Sequence, residues 1–131
     1  MEPSARKPVH FIASSLKDLR ALPGPVQDDF GRWLLDAQYG DMPAAAKPLR
    51  GFRESGVLEL IEDYDTNTYR AVYTVKFPGA VYVLHVFQKK SKTGIATPQH
   101  DLELVRRRHK IARQHYRQHY QAAERQEDGH A

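Results

Sequence analysis

The sequence predicts an α+β domain, with helices packed on an antiparallel sheet. Three observations predict it. Val26, Phe30, Trp33, Leu34 and Ala37 fall at i, i+4, i+7, i+8 and i+11, one apolar stripe of a helix. From Val57 the apolar period changes to two, and strand-like runs follow with turn residues between them. Leu102, Val105, His109, Ala112 and Tyr116 then restore a helical stripe.

In chain order, the apolar run at residues 9–13 suits a short strand ended by Ser14-Ser15. Ser15 is placed to cap a short helix, with Asp18 three residues on and Leu16, Leu19 and Leu22 on one face. Pro23-Gly24-Pro25 breaks that helix, and Pro25 opens the second, where a missing N–H costs nothing. Gly40 closes it, so the two helices form a hairpin. Residues 41–56 read as a loop. Residues 57–63 form a strand, followed by a turn at Asp65-Thr66-Asn67. In the next strand Tyr69, Ala71, Tyr73, Val75 and Phe77 face one side, and Arg70, Val72, Thr74 and Lys76 the other. Pro78-Gly79 turns the chain again. Residues 80–88 are apolar on both faces, as in a strand covered on both sides. Thr97-Pro98 is a cap and first-residue signal for the last helix. The reading is one domain over residues 1–120 and a frayed tail over 121–131.

Composition narrows the function. The 131 residues carry 20 Lys+Arg against 16 Asp+Glu and no cysteine. That excludes a disulfide framework, a thiolate metal site and a cysteine nucleophile, and fits a reducing, cytoplasmic setting. Apolar stretches of about five residues are far short of a membrane span, so no membrane partner is expected. No signal-peptide core is expected either. Lysine and arginine concentrate at residues 89–92 and 106–113, a local positive field suited to a polyanion.

The chemistry is narrowed by what is missing. There is no G-x-x-x-x-G-K phosphate loop and no G-x-S-x-G elbow. His115 and His119, at i and i+4, can share a metal from one helical face, but no third ligand is identifiable, and no metal or other cofactor is expected. His85 sits mid-strand, where a buried, hydrogen-bonded histidine is the default. What remains is Arg70 in mid-strand, with Lys89 and Lys90 leaving the neighbouring strand. A guanidinium fork and two ammonium groups can hold a phosphodiester and stabilise the charge that develops when a ribose 2′-hydroxyl attacks it.

Tyr69-Arg70-Ala71-Val72-Tyr73, then Val83 to Lys90 (VLHVFQKK), then Thr97-Pro98-Gln99-His100-Asp101-Leu102 resemble the RelE/ParE toxin superfamily, closest to its phage-derived HigB-like branch. The segments Lys47-Pro48-Leu49-Arg50-Gly51-Phe52 and Gly56-Val57-Leu58-Glu59-Leu60 also match that branch, and the resemblance spans about residues 9–117. It implies a RelE-like fold: an N-terminal strand and helical hairpin, an antiparallel β-meander and a C-terminal helix. It also implies the toxin of a type II toxin–antitoxin system, an mRNA interferase working on message at the ribosome and neutralised by a HigA-like helix-turn-helix antitoxin. Arg70, Lys89 and Lys90 are then the expected catalytic residues. Lys47, Arg50, Phe87, Lys92 and Arg107 are the expected RNA-binding residues. Some RelE-type enzymes carry basic residues on the strand before Tyr-Arg. This chain has Leu58-Glu59-Leu60 there, which leaves the general base open, with Glu59 and Glu62 as candidates. Two other readings are a ParE-type, non-catalytic toxin that binds DNA gyrase and an inert prophage-derived protein.

Overall fold

The computed structural model describes residues 5–52, 56–89 and 97–121. Val26, Phe30, Leu34 and Ala37 are all buried along one stripe of helix α2 (Gly24–Gln38), as helical spacing requires. Trp33 is only half-buried at the margin of that cluster, its ring 5.9 Å from Phe30, so it is less central than the stripe suggests. Gly40 ends the helix at φ +87°. Asp41 N–H bonds the Asp36 carbonyl at 3.0 Å and Gly40 N–H the Ala37 carbonyl at 3.0 Å, a Schellman closure.

The other elements are β1 (Val9–Phe11), α1 (Ser15–Arg20), β2 (Ala46–Pro48), β3 (Val57–Tyr64), β4 (Asn67–Thr74), β5 (Val81–Lys89) and α3 (Gln99–Tyr116). A wide π-type turn, Arg117–Gln121, continues α3. The expected meander β3-β4-β5 is present. It lies inside a five-stranded sheet of order β1-β5-β4-β3-β2, with β1 parallel to β5 and the other pairs antiparallel. Strand β2 falls where a loop was expected. Its three residues are too few to display alternation, and its exposed Lys47 and Pro48 suit an edge.

Two capping expectations change. Ser14, not Ser15, precedes α1 and donates to Asp18 Oδ2 at 2.8 Å; Ser15 is buried, its Oγ directed at the Val83 carbonyl, 3.2 Å. Likewise Pro98 precedes α3, and the hydroxyl of Thr97 turns into the sheet.

The sheet has a covered face on each side. Leu19 and the α2 stripe pack with Leu60, Tyr69, Ala71, Tyr73, Val81, Val83 and Val86. Leu102, Val105 and Ala112 of α3 pack on the other side with Val57, Val72, Tyr82 and Leu84. The β4–β5 ladder slips between Val72 and Tyr73: Val72 opposes His85, yet Tyr73 opposes Val83, so Leu84 is an extra residue on β5. That bulge decides what lies under α3. Strict alternation from Tyr82 would send residues 85, 87 and 89 to the α2 face; after the bulge they share the α3 face with Arg70 and Val72. Among the described residues, no helix is long and apolar enough to cross a membrane. The expected tail lies outside the described residues, apart from Gln121.

Candidate functional site

Strand register sets out the α3 face as three rows. Lys47, Glu59, Val72 and His85 form the first, across four strands; Ile61, Arg70 and Phe87 the second; Asp63, Thr68 and Lys89 the third. Arg70, in the middle, is 2% exposed. Its Nη1 donates to Glu59 Oε2 at 3.0 Å and to Thr97 Oγ1 at 3.1 Å, and Thr97 Oγ1 in turn donates to Glu59 Oε2 at 3.1 Å. Glu59 is 5% exposed and Lys89 7% exposed. The Lys89 ammonium is pushed below its ordinary pKa, first by burial and then by the Arg70 charge, with Glu59 pulling the other way. Arg70 and Lys89 thus lie close enough to feel one another, and both feel the Glu59 carboxylate. Two buried cations this close form a positive centre on the sheet face, suited to an anionic group.

Beside them, His85 Nε2 meets Asp101 Oδ1 of α3 at 2.7 Å, and the imidazole stacks on Phe87 with ring centres 4.5 Å apart and planes 15° apart. Burial lowers the His85 pKa more than Asp101 raises it, so the ring is neutral near pH 7. With Nε2–H donating to the carboxylate, Nδ1 is the lone-pair nitrogen. It is buried and has no hydrogen-bond partner among the described residues. Arg108, also on α3, bonds the Leu84 carbonyl through Nη1 at 3.0 Å and Ser14 Oγ through Nη2 at 3.0 Å. It pins the bulged residue to the helix above it.

The remaining expected site residues are dispersed. Phe87 is half-buried and directly opposite Arg70; Lys47 and Arg50 are exposed at the β2 margin; Arg107 is exposed on α3. Lys90 and Lys92 lie outside the described residues. Of the two candidate bases, Glu59 is engaged with Arg70. Glu62 is opposite Tyr69 on the other face, where burial and a hydrogen bond with Asp29 raise its pKa to about 7. Neither is a free carboxylate beside Arg70. A cavity of about 170 Å³, lined by Lys7, Met42, Leu58 and Tyr73 among others, includes neither Arg70 nor Lys89. Among the described residues, no three His, Cys, Asp or Glu side chains stand ready around a metal position.

The fold and site define an α+β domain whose sheet carries a buried Arg–Glu–Lys cluster under the start of its last helix. The family model described as "Phage derived protein Gp49-like (DUF891)" matches residues 17–110, most of the chain, and the chain belongs to that family. No curated protein matches it. Among solved structures, it is similar to a chain of the toxin–antitoxin complex RelBE2 from Mycobacterium tuberculosis, at 22% identity and TM-score 0.46, covering 65% of this chain and 100% of that one. It is also similar to a free-state mutant of the toxin RelE from E. coli, at 21% identity and TM-score 0.48, covering 63% of this chain and 82% of that one.

Proposed function

We propose that this chain is the toxin of a type II toxin–antitoxin pair and acts as an mRNA endoribonuclease on ribosome-bound message. The observation that carries the reading is the gathering of Arg70 and Lys89 around Glu59 on one sheet face, made possible by the bulge at Leu84. A carboxylate is the protein's own stand-in for a phosphate: both offer two oxygens to a guanidinium fork. An RNA phosphodiester displaces Glu59 from Arg70 and gains Lys89 as a second counter-charge. As the ribose 2′-hydroxyl attacks phosphorus, the two cations stabilise the extra negative charge on the phosphoryl oxygens. His85, neutral and held in one tautomer by Asp101, is the proton acceptor this geometry offers for that hydroxyl. Phe87, opposite Arg70, can stack on a splayed base, and the exposed Lys47, Arg50 and Arg107 can follow the backbone. Lys90 and Lys92 join the same set as further cations. The structures it resembles come from toxin–antitoxin systems, which supports an antitoxin as partner.

Induced expression in a bacterial host tests this. The expected result is growth arrest with message cut at discrete positions and chromosomal DNA intact. DNA damage with intact message would point to gyrase as the target, and unaffected growth to an inert protein.

A further inference from the structure

Beyond Glu103, α3 and the turn that continues it carry six Arg or Lys and no Asp or Glu over residues 104–121. Four of the six do not spread around the helix. Arg106, Lys110, Arg113 and Arg117 follow at i, i+4, i+7 and i+11, so they line one flank over about 16 Å. Arg106, Lys110 and Arg117 are exposed, and Arg113 is half-buried. The flank runs beside His109, whose buried ring lies 5.8 Å from that of Phe52. It is thus opposite Arg108, which is tied to Ser14 and Leu84. We propose that this flank of α3 is a docking surface for the phosphate backbone of a double-helical RNA, separate from the Arg70 cluster under the start of the same helix.

The needs of the fold do not account for the stripe. An exposed helix face gains from acids and bases interleaved at i, i+3 and i+4, and like charges at those spacings weaken it. Here every such neighbour within the stripe is a cation, and among the described residues no ion pair reaches Arg106, Lys110 or Arg117. The helix dipole favours bases in the last turn alone. That covers Arg113 and Arg117 but not Arg106 and Lys110, which lie further up the helix.

The make-up of the flank selects the partner. A protein partner would need an apolar centre to its patch, with charge kept to the rim. The positions in line with the stripe, from Gln99 through Glu103 to Arg117, hold no apolar residue. A single strand would need aromatic platforms for its bases. The rings that border the flank are engaged in packing: Phe52 and Phe77 lie against His109, and Tyr116 lies 5.2 Å from Phe77 and donates to the Pro78 carbonyl at 2.6 Å. A straight row of cations with no ring to stack on suits the regular backbone of a duplex, which proteins recognise by shape and phosphate contacts. Exposed Arg50, two residues before Phe52, extends the same positive field across the neighbouring loop. Docking here does not depend on cutting at Arg70, so the two readings fail separately.

The test is binding of the full chain to an RNA duplex of about 16 base pairs, and to each of its single strands, over a salt series. Saturable binding is expected, tighter to the duplex than to either strand. Arg106→Gln/Lys110→Gln/Arg117→Gln should weaken duplex binding roughly tenfold or more and lower the slope of log K against log salt by about 2–3, through lost phosphate contacts. All three side chains are exposed, and the change relieves three like-charge pairs, so the variant's Tm should match or exceed that of wild type. Arg6→Gln/Lys17→Gln/Arg20→Gln removes the same charge from exposed positions elsewhere and should bind the duplex nearly as wild type does. Undiminished duplex affinity in the α3 variant overturns the proposal. Equal losses in the two triple variants do so as well, because net charge is then the cause, and so do single strands bound as tightly as the duplex. Binding of poly-glutamate in place of the duplex would assign the flank to an acidic protein and overturn it too. The readout is binding, so a chain that leaves message uncut still decides the matter.

Discussion

Replacing Arg70 by alanine is the obvious probe of catalysis, but the structure predicts that it damages the fold as well. Arg70 and Glu59 are 2% and 5% exposed and joined at 3.0 Å. Removing the guanidinium takes its direct ion-pair partner from a buried carboxylate that keeps only the Thr97 hydroxyl and the nearby Lys89 charge, a defect that typically costs about 3–5 kcal/mol. Against a total stability of about 5–15 kcal/mol this is severe. At this chain length it corresponds to a Tm fall of very roughly 10–20 °C. Glu59→Leu alone should be comparably harmful, because it leaves Arg70 and Lys89 facing each other without their shared carboxylate. The double change Glu59→Leu/Arg70→Met removes both charges and fills the space with apolar atoms. Such replacements are often neutral. Lys89 then loses the attraction of Glu59 and the repulsion of Arg70 together. The two single variants and the double variant, melted under identical conditions, form a cycle with a coupling on the order of 3 kcal/mol. A double variant as unstable as Arg70→Ala would refute the reasoning, as would a single variant within about 1 kcal/mol of wild type. A stable double variant is also the proper inactive control, because its expected loss of toxicity cannot be blamed on unfolding.

Three other outcomes are expected. Asp65 and Thr66 turn the β3–β4 hairpin at φ +50° and +67°, where a β-branched residue is strained, so Thr66→Gly should stabilise by about 0.5–1 kcal/mol in denaturant melts; a loss of stability would contradict the strain. His10 and His115 have folded-state pKa values below the reference of 6.5, so the unfolded chain binds their protons first. The stability they contribute is present above that reference and lost as pH falls through the folded values. In metal-free buffer, Tm should therefore drop from pH 7 to pH 5, and less so in His115→Gln. Glu62 has the opposite sign: raised to about 7 from 4.5, it favours the folded state at low pH and loses that contribution as pH rises through 7. Glu62→Gln should match wild type near pH 5 and exceed it in Tm at pH 8; an equal Tm at pH 8 would show that the carboxyl titrates normally.

Much of the fold was legible because long apolar stripes report burial directly. The α2 and α3 stripes and the two faces of β4 through Thr74 are where periodicity placed them. Short elements were not legible. Strand β2 has three residues, and pairing with β3, rather than any pattern of its own, makes it a strand. The caps shifted by one residue because Ser15 and Thr97 have tertiary partners that outcompete local capping.

At the site, Arg70 and Lys89 could be named from the sequence, but their meeting could not be derived from it. Strict alternation puts Lys89 on the wrong face, and no glycine marks the bulge at Leu84. The burial of Arg70 does carry a signal in the sequence. Glu59 sits between two leucines in the apolar first half of the adjoining strand, and an acid flanked in that way calls for a cation on the same face. His85 was expected to be buried and hydrogen-bonded, and is; its partner Asp101 lies across a segment whose path no local pattern specifies.

The chemistry of the cut ends tests the central claim most directly. In the proposed reaction, attack by the 2′-hydroxyl with Arg70 and Lys89 stabilising the charge would leave a 2′,3′-cyclic phosphate, or the 3′-phosphate it opens to, on one fragment and a 5′-hydroxyl on the other. Ribosome-bound message exposed to the wild-type chain should carry these ends, and message exposed to the Glu59→Leu/Arg70→Met variant should stay whole. Fragments with 5′-phosphate and 3′-hydroxyl ends, or equal cutting by the two proteins, would contradict the account.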